Sequence, residues 1–371
     1  MDAPFPFGFP TATAFYLTLY VLTLVVHVVF MNYVVAGTAY LAWRSWRGPV
    51  AAGGAGDPIA EVLRDWMPFA LSAAITAGVA PLLFVQILYQ RPFYTANQLL
   101  FHRWMAILPV LIVGFYLLYL LKSGYARRCG PLPRGLIALG AAACFLFTGW
   151  SWTENHLLSL RESSWPRFYE SGRMMHYEAA LLPRLGVWMI GSLPTMAMLV
   201  GWQLHGLRRR GAAIESPALR RLAWLALVGI AGSATMCVTH DTISEGGLKD
   251  ALLGPMGRPW AVLLAAGVAM QIVAWAALLR RPESCTVPLS LAAAGVLLSI
   301  LGMSIAREIL RIRALSVDRL FQQHEIAMGV GGWWLFVLLA IVNIGVIAWA
   351  MTLVRRGLRT AGDRTPQEFT W

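Results

Sequence analysis

Nine long apolar stretches recur along the chain, and nothing limits its fold more than they do. Each holds roughly 18–25 mainly apolar residues, the length a helix needs to cross a hydrocarbon core. Backbone inside lipid must satisfy its own hydrogen bonds, so runs of this kind predict helices packed side by side. They lie near residues 12–43, 62–89, 99–121, 134–152, 183–205, 219–239, 259–279, 287–309 and 329–354. The expected fold class is an all-α polytopic bundle of about nine transmembrane helices, one membrane domain over residues 1–371. Composition agrees: 58% of the 371 residues are hydrophobic and 13% charged, where a soluble chain would carry about a quarter charged residues. A stretch without a basic n-region, "MDAPFPFGFP", precedes the first run, so that run is expected to be retained as a helix.

The formal net charge of +12 does not point to nucleic acid. The basic residues sit in short connections between apolar runs, where membrane topology explains them. Eighteen of the 30 Lys and Arg residues, from Arg44 and Arg47 to Arg364, fall in the first, third, fifth and seventh connections and the C-terminal tail. The positive-inside rule then expects a periplasmic N-terminus and a cytoplasmic C-terminus in a cell inner membrane. The opposite side carries one long connection of about thirty residues, 153–182, "TENHLLSLRESSWPRFYESGRMMHYEAALL". Its aromatic, amphipathic character predicts an interfacial helix. Cys129, Cys144, Cys237 and Cys285 lack CxxC or CxxCH spacing, which suggests neither zinc nor covalent haem attachment.

Several polar residues stand out against this apolar background. His27 lies near the middle of the first run, "LTLYVLTLVVHVVFMNYVVAG". A titratable ring at that depth is costly unless it is paired or coordinated. Two readings stay open: an axial ligand of haem, or a histidine hydrogen-bonded to a neighbouring helix. His102, beside Arg103 and Trp104, is either a second ligand or a member of an aromatic belt. In "GMSIAREILRIRALS", Glu308 and Arg311 are three apart and Arg307 and Arg311 four apart, so all three share a helix face. They can form an ion pair only, or the arginines can hold haem propionates. His240, Asp241 and Glu245 read as a hydrated loop rather than a metal site, and His156, His176, His205 and His324 read as interfacial.

Taken together, these residues resemble subunit I of cytochrome bd quinol oxidases. "VLTLVVHVVFMNYVVAGTAYL" is similar to the family's first span, and His27 matches the histidine that ligates a high-spin haem there. "AREILR" matches its Glu-x-x-Arg, which implies Glu308 as a carboxylate haem ligand with Arg311 beside it. His102 falls where the family has a glutamate near the start of span three, and "TGWSWTENHLL" and "THDTISEGGLKD" resemble its Asn-Gly-Trp and Gly-Asp-Glu-Ser stretches. The chain departs elsewhere. Gly186 or a neighbour stands where the low-spin haem's span-five histidine belongs, and Met270 is not securely at the span-seven position. The quinol loop is about twenty residues long, and Ile312 and Arg313 replace the start of Gln-Pro-Trp.

The resemblance implies a subunit holding haem b, one or more, with a quinone as second candidate cofactor. His27, His102 and Glu308 are the candidate iron ligands, with Arg103, Arg307 and Arg311 around them. Its partners would be the lipid bilayer and other membrane or cytochrome subunits of a respiratory complex, and its task would be moving electrons from a quinone pool or periplasmic donor, with or without oxygen reduction. The alternative is a haem-free structural or assembly subunit that kept the fold. A transporter is disfavoured, since no paired Gly/Pro-interrupted spans mark a midplane site.

Overall fold

A computed structural model describes residues 3–46, 56–212, 215–244, 247–315 and 317–362. In chain order the helices are α1 (Thr11–Trp46), α2 (Pro58–Leu88), α3 (Gln90–Leu99), α4 (Phe101–Lys122), α5 (Gly124–Arg128), α6 (Pro131–Ser159) and α7 (Trp165–Glu170). There follow α8 (Leu181–Arg209), α9 (Ser216–Ile243), α10 (Gly247–Leu253), α11 (Arg258–Arg280), α12 (Thr286–Ala314), α13 (Val317–Gly329) and α14 (Gly332–Gly362). No strand occurs among the described residues. The protein is an all-α polytopic membrane bundle.

Eight of these helices, α1, α2, α4, α6, α8, α9, α11 and α12, are long and apolar enough to cross a membrane. A ninth crossing would be the pair Arg319–Gly329 and Gly332–Val346, which is bent by 68°. Starts are set by local chemistry. Asp57 accepts a hydrogen bond from the Ile59 amide at 3.2 Å, with Pro58 in the first turn where its missing N–H costs nothing.

At the centre of the bundle α1 packs against α2, α6, α8 and α12. Its core residues Tyr33, Val34, Tyr40 and Leu41 join Met196, Val200 and Leu204 of α8. Lipid tails are as apolar as leucine, so hydrophobicity alone would not hold these helices together; polar pairs and close backbone approach do so. Asn32 donates to Thr195 Oγ1 at 3.0 Å, and the Tyr33 hydroxyl donates to Gln203 at 3.0 Å. At the end where α1 finishes, Asp57 accepts from Tyr40 at 2.7 Å and from Arg44 and Arg221 at 3.0 Å each, tying α1, α2 and α9. On α4 the exposed residues Phe101, Met105, Leu108, Ile112 and Tyr116 recur at helical spacing, giving a lipid-facing stripe.

The long connection differs from its expectation as one interfacial helix. Its first seven residues continue α6 to Ser159, a 3₁₀ turn covers Glu162–Ser164, and α7 is six residues long. The polar run Thr153–His156 is the last part of a spanning helix because it finds side-chain partners inside the bundle. His240 and Asp241 belong to α9 rather than to a loop, with Asp241 accepting from the Lys249 amide at 2.9 Å. Glu245, Arg47 and Arg364 lie outside the described residues.

Candidate functional site

The end of the bundle where α1 begins gathers a buried polar cluster from five helices. Glu308 of α12 is fully buried, at 0% exposure. Its Oε2 accepts from the Tyr89 hydroxyl at 2.8 Å and from Arg311 Nη1 at 3.2 Å. Its Oε1 accepts from Arg307 Nε at 3.1 Å and from Arg311 Nη1 at 3.3 Å. Arg311 also stacks on the Tyr89 ring, 4.5 Å from its centroid. Arg307 donates in addition to the Tyr20 hydroxyl of α1 and lies over that ring.

The three-residue spacing read from "AREILR" thus produces the Glu308–Arg311 pair, while Arg307 bonds Glu308 from the adjacent position. Tyr89 closes α2, and it enters because the backbone breaks at that residue between α2 and α3. His156 of α6, whose sequence setting reads as interfacial, is buried in the cluster instead. Its Nδ1 lies 2.6 Å from Arg311 Nη2 and its Nε2 lies 2.6 Å from Arg184 Nη2 of α8. The hydropathy dip at 153–156 made this segment look like a surface connection; the presence of four consecutive polar residues, each able to be satisfied, was the available signal. A cleft of about 20 Å³ adjoins the cluster, room for one water, lined by Tyr89, Asn155, His156, Ser159 and Arg311 among others.

His27 lies two helical turns from Tyr20 on the same face of α1. Its Nδ1 is 2.9 Å from the Ala74 carbonyl oxygen of α2. A carbonyl only accepts, so the neutral ring carries its proton on Nδ1 and keeps its lone pair on Nε2. The contact requires Gly78: a Cβ there would meet the imidazole at 2.9 Å.

His102 is exposed, its ring edge-on to Phe101 at 5.6 Å. Arg103 turns inward instead, with Nε 2.9 Å from Glu154 Oε2 in an ion pair whose angle falls short of a hydrogen bond. Its guanidinium stacks over Phe147 at 5.4 Å and Trp150 at 6.0 Å. Nearby, outside the spans, Glu178 pairs with Arg161 and His176. Burial pushes its carboxyl up, but the His176 imidazole 3.6 Å away and the Arg161 guanidinium more than offset this and hold it below the ordinary carboxylate value. Among the described residues, no hydrogen bond or ring contact joins His27, His102 and Glu308, and no three His, Cys, Asp or Glu side chains form a metal-sized group.

The fit to haem divides along these lines. A histidine with Nδ1–H on a backbone carbonyl and Nε2 free is the arrangement metal-ligating imidazoles use. Glu308 already accepts four hydrogen bonds, about the capacity of a carboxylate. For it to ligate iron, Tyr89 or an arginine would have to let go. No family model, no curated protein and no solved structure matches this chain.

Proposed function

We propose that this chain is a haem-b-binding membrane subunit of a respiratory electron-transfer complex, resembling subunit I of cytochrome bd quinol oxidases. It sits in the cell inner membrane with its N-terminus periplasmic and its C-terminus cytoplasmic. The observation that carries the reading is His27: a histidine deep in a span, oriented by the Ala74 carbonyl so that its lone-pair nitrogen, Nε2, is the atom that would bind iron. Bound haem would supply one-electron chemistry.

The chain's own residues would hold and surround that group. His27 would ligate its iron, and Gly78 lets α2 approach closely enough to orient the ring. Arg307 and Arg311 offer guanidinium donors for carboxylates at the haem edge, and Arg103 lies at the same end of the bundle, one turn into α4. His102, at the start of α4, and Glu308 are the remaining candidate ligands. A quinone or a periplasmic donor and partner subunits complete the electron path in this reading.

A haem-free structural or assembly subunit is the second reading. The saturated carboxylate of Glu308 favours it, since a cluster linking α1, α2, α6, α8 and α12 fastens the bundle without any cofactor. The test is the absorption spectrum of the full chain purified in detergent from haem-replete cells. A Soret band that is lost in His27→Ala, while Arg313→Ala keeps it, is the expected result. Protein that elutes as a folded species without any Soret band would leave the structural reading in place.

A further inference from the structure

Helix α2 leaves a carbonyl without its helical partner at its last residue. The Leu88 oxygen would accept from the amide four residues on, but that residue is Pro92, which has no N–H. His324 of α13 takes that place, with Nε2 2.9 Å from the oxygen. A carbonyl only accepts, so the neutral ring carries its proton on Nε2, and Nδ1 accepts from the Thr13 hydroxyl of α1 at 2.9 Å. His324 is 2% exposed and satisfied at both nitrogens. Among the described side chains of α13, it alone is hydrogen-bonded to another helix.

The rest of α13 is amphipathic. Leu320 is buried one turn before His324, and Phe321 meets Phe9 edge-on at 6.0 Å. Arg319, Gln322 and Glu325 are exposed on the other face. Leu320, Phe321 and His324 share a gap of about 10 Å³ with Tyr89, Leu17 and Ile312. Tyr89 follows Leu88 directly and donates to Glu308 at 2.8 Å. The apolar face of α13 thus lies over the residue whose hydroxyl occupies Glu308 Oε2.

Beyond α13 the chain turns through residues 329–332. Gly331 has φ +84°, a conformation open to glycine, and α13 and α14 meet there at a bend of 68°. The start of α14 is held separately, Trp333 against Phe15 at 5.4 Å and Phe336 against Phe84 at 5.0 Å. Rotation about the glycines therefore lets α13 leave the bundle while the start of α14 stays anchored.

We propose that α13 is a hinged strap, latched by His324, that seals the Tyr89–Glu308 pair at the end of the bundle where α1 begins. When the strap lifts, the Leu88 carbonyl and Tyr89 meet water, and water competes with the Tyr89 hydroxyl for Glu308. The device governs access to the pair and holds whether or not the chain binds haem.

The experiment combines amide hydrogen exchange with hydroxyl-radical footprinting on the purified full chain in detergent, both read by peptide mass spectrometry. Amides of α13 should exchange as one unit ahead of those of α12, and buried Tyr89 should be oxidised far more slowly than exposed Tyr94 and Tyr177. Thr13→Val keeps the shape of the residue but leaves Nδ1 of a buried ring without a donor, and should speed exchange across α13 about tenfold. Gly331→Ala, whose added Cβ has nothing within 4 Å, strains only the bent, docked state and should speed it about fivefold or more. Both should raise oxidation of Tyr89 and leave exchange in α12 unchanged. Gln322→Ala, on the exposed face, should alter neither readout. Should Thr13→Val fail to fold, Gly331→Ala, which leaves the latch intact, carries the test. Exchange of α13 and α12 at one rate in wild type overturns the proposal. So does faster exchange of α13 with Tyr89 still protected, or a rise that spreads equally to α12.

Discussion

Glu308 holds two arginines that would otherwise face a low-dielectric interior alone. Removing one partner of a buried ion pair costs about 3–5 kcal/mol, because the charge left behind is neither solvated nor paired. Arg313 and Arg319 lie just beyond, exposed on the same stretch of chain, where a charge is worth about 0–1 kcal/mol. Glu308→Ala should therefore lower the thermal midpoint in detergent and the yield of folded protein far more than Arg313→Ala or Arg319→Ala. Near-equal midpoints in the three variants would mean that the arginines find water or another acceptor when the carboxylate goes. Half of this cluster was legible in the sequence, since Arg307, Glu308 and Arg311 are neighbours on one helix face. The other half was not: Tyr20, Tyr89 and His156 reach Glu308 or its arginines from α1, the end of α2 and α6, Arg184 of α8 joins through His156, and no local period encodes such contacts. His156 was read as interfacial because four polar residues in a row end an apolar run, and it is buried because each finds a partner within the bundle.

Among the helices, α11 and α12 approach each other most closely at a pair of glycines. A Cβ added to Gly295 would lie 2.6 Å from the Gly267 carbonyl oxygen and 2.8 Å from Gln271 Cγ. Backbone cannot yield as a flexible side chain can, so a larger residue must separate the helices. Gly295→Leu should destabilise the fold by roughly 1–3 kcal/mol or more, the range for overpacking a filled interior. Gly345→Leu on α14 is the matched control, because nothing lies within 4 Å of the Cβ it adds. Both changes add the same apolar surface, so unfolding midpoints measured in one detergent isolate the packing term. Equal midpoints in the two variants would show that α11 and α12 separate at little cost and that the glycine contact is not what holds them, since leucine favours the helix at both sites alike. Helices themselves were readable from hydropathy because the bilayer leaves a long apolar segment few alternatives. Their ends were less so: α6 runs past the hydropathy boundary at 152 to Ser159, and the break at Tyr89 between α2 and α3 is signalled by Pro92 alone, three residues on, which has no N–H to offer the Leu88 carbonyl.

The whole molecule turns on whether its last helix crosses. Eight helices cross by length and composition, and α13 with α14 adds a ninth only if the 68° bend still allows passage. An even number would put both termini on one side and an odd number on opposite sides. Charge favours the odd number. The end of the bundle holding Arg44, Asp57, Arg221 and the Lys122 bond to the Asp65 carbonyl at 2.9 Å is the basic end, and the positive-inside rule assigns that end to the cytoplasm. Arg355, Arg356, Arg359 and Arg364 follow the apolar part of α14, so the same rule draws the C-terminal segment to the cytoplasmic side. The exposed faces of α14, with Leu338, Ile341, Val342 and Ile344 all open, suit a helix surrounded by lipid rather than one lying on water. A periplasm-active reporter fused at the N-terminus and a cytoplasm-active reporter fused at the C-terminus should therefore both be active, and the exchanged pair inactive. If both ends report from one side, α14 does not cross, and its apolar surface must be covered by another subunit or lie in the membrane interface.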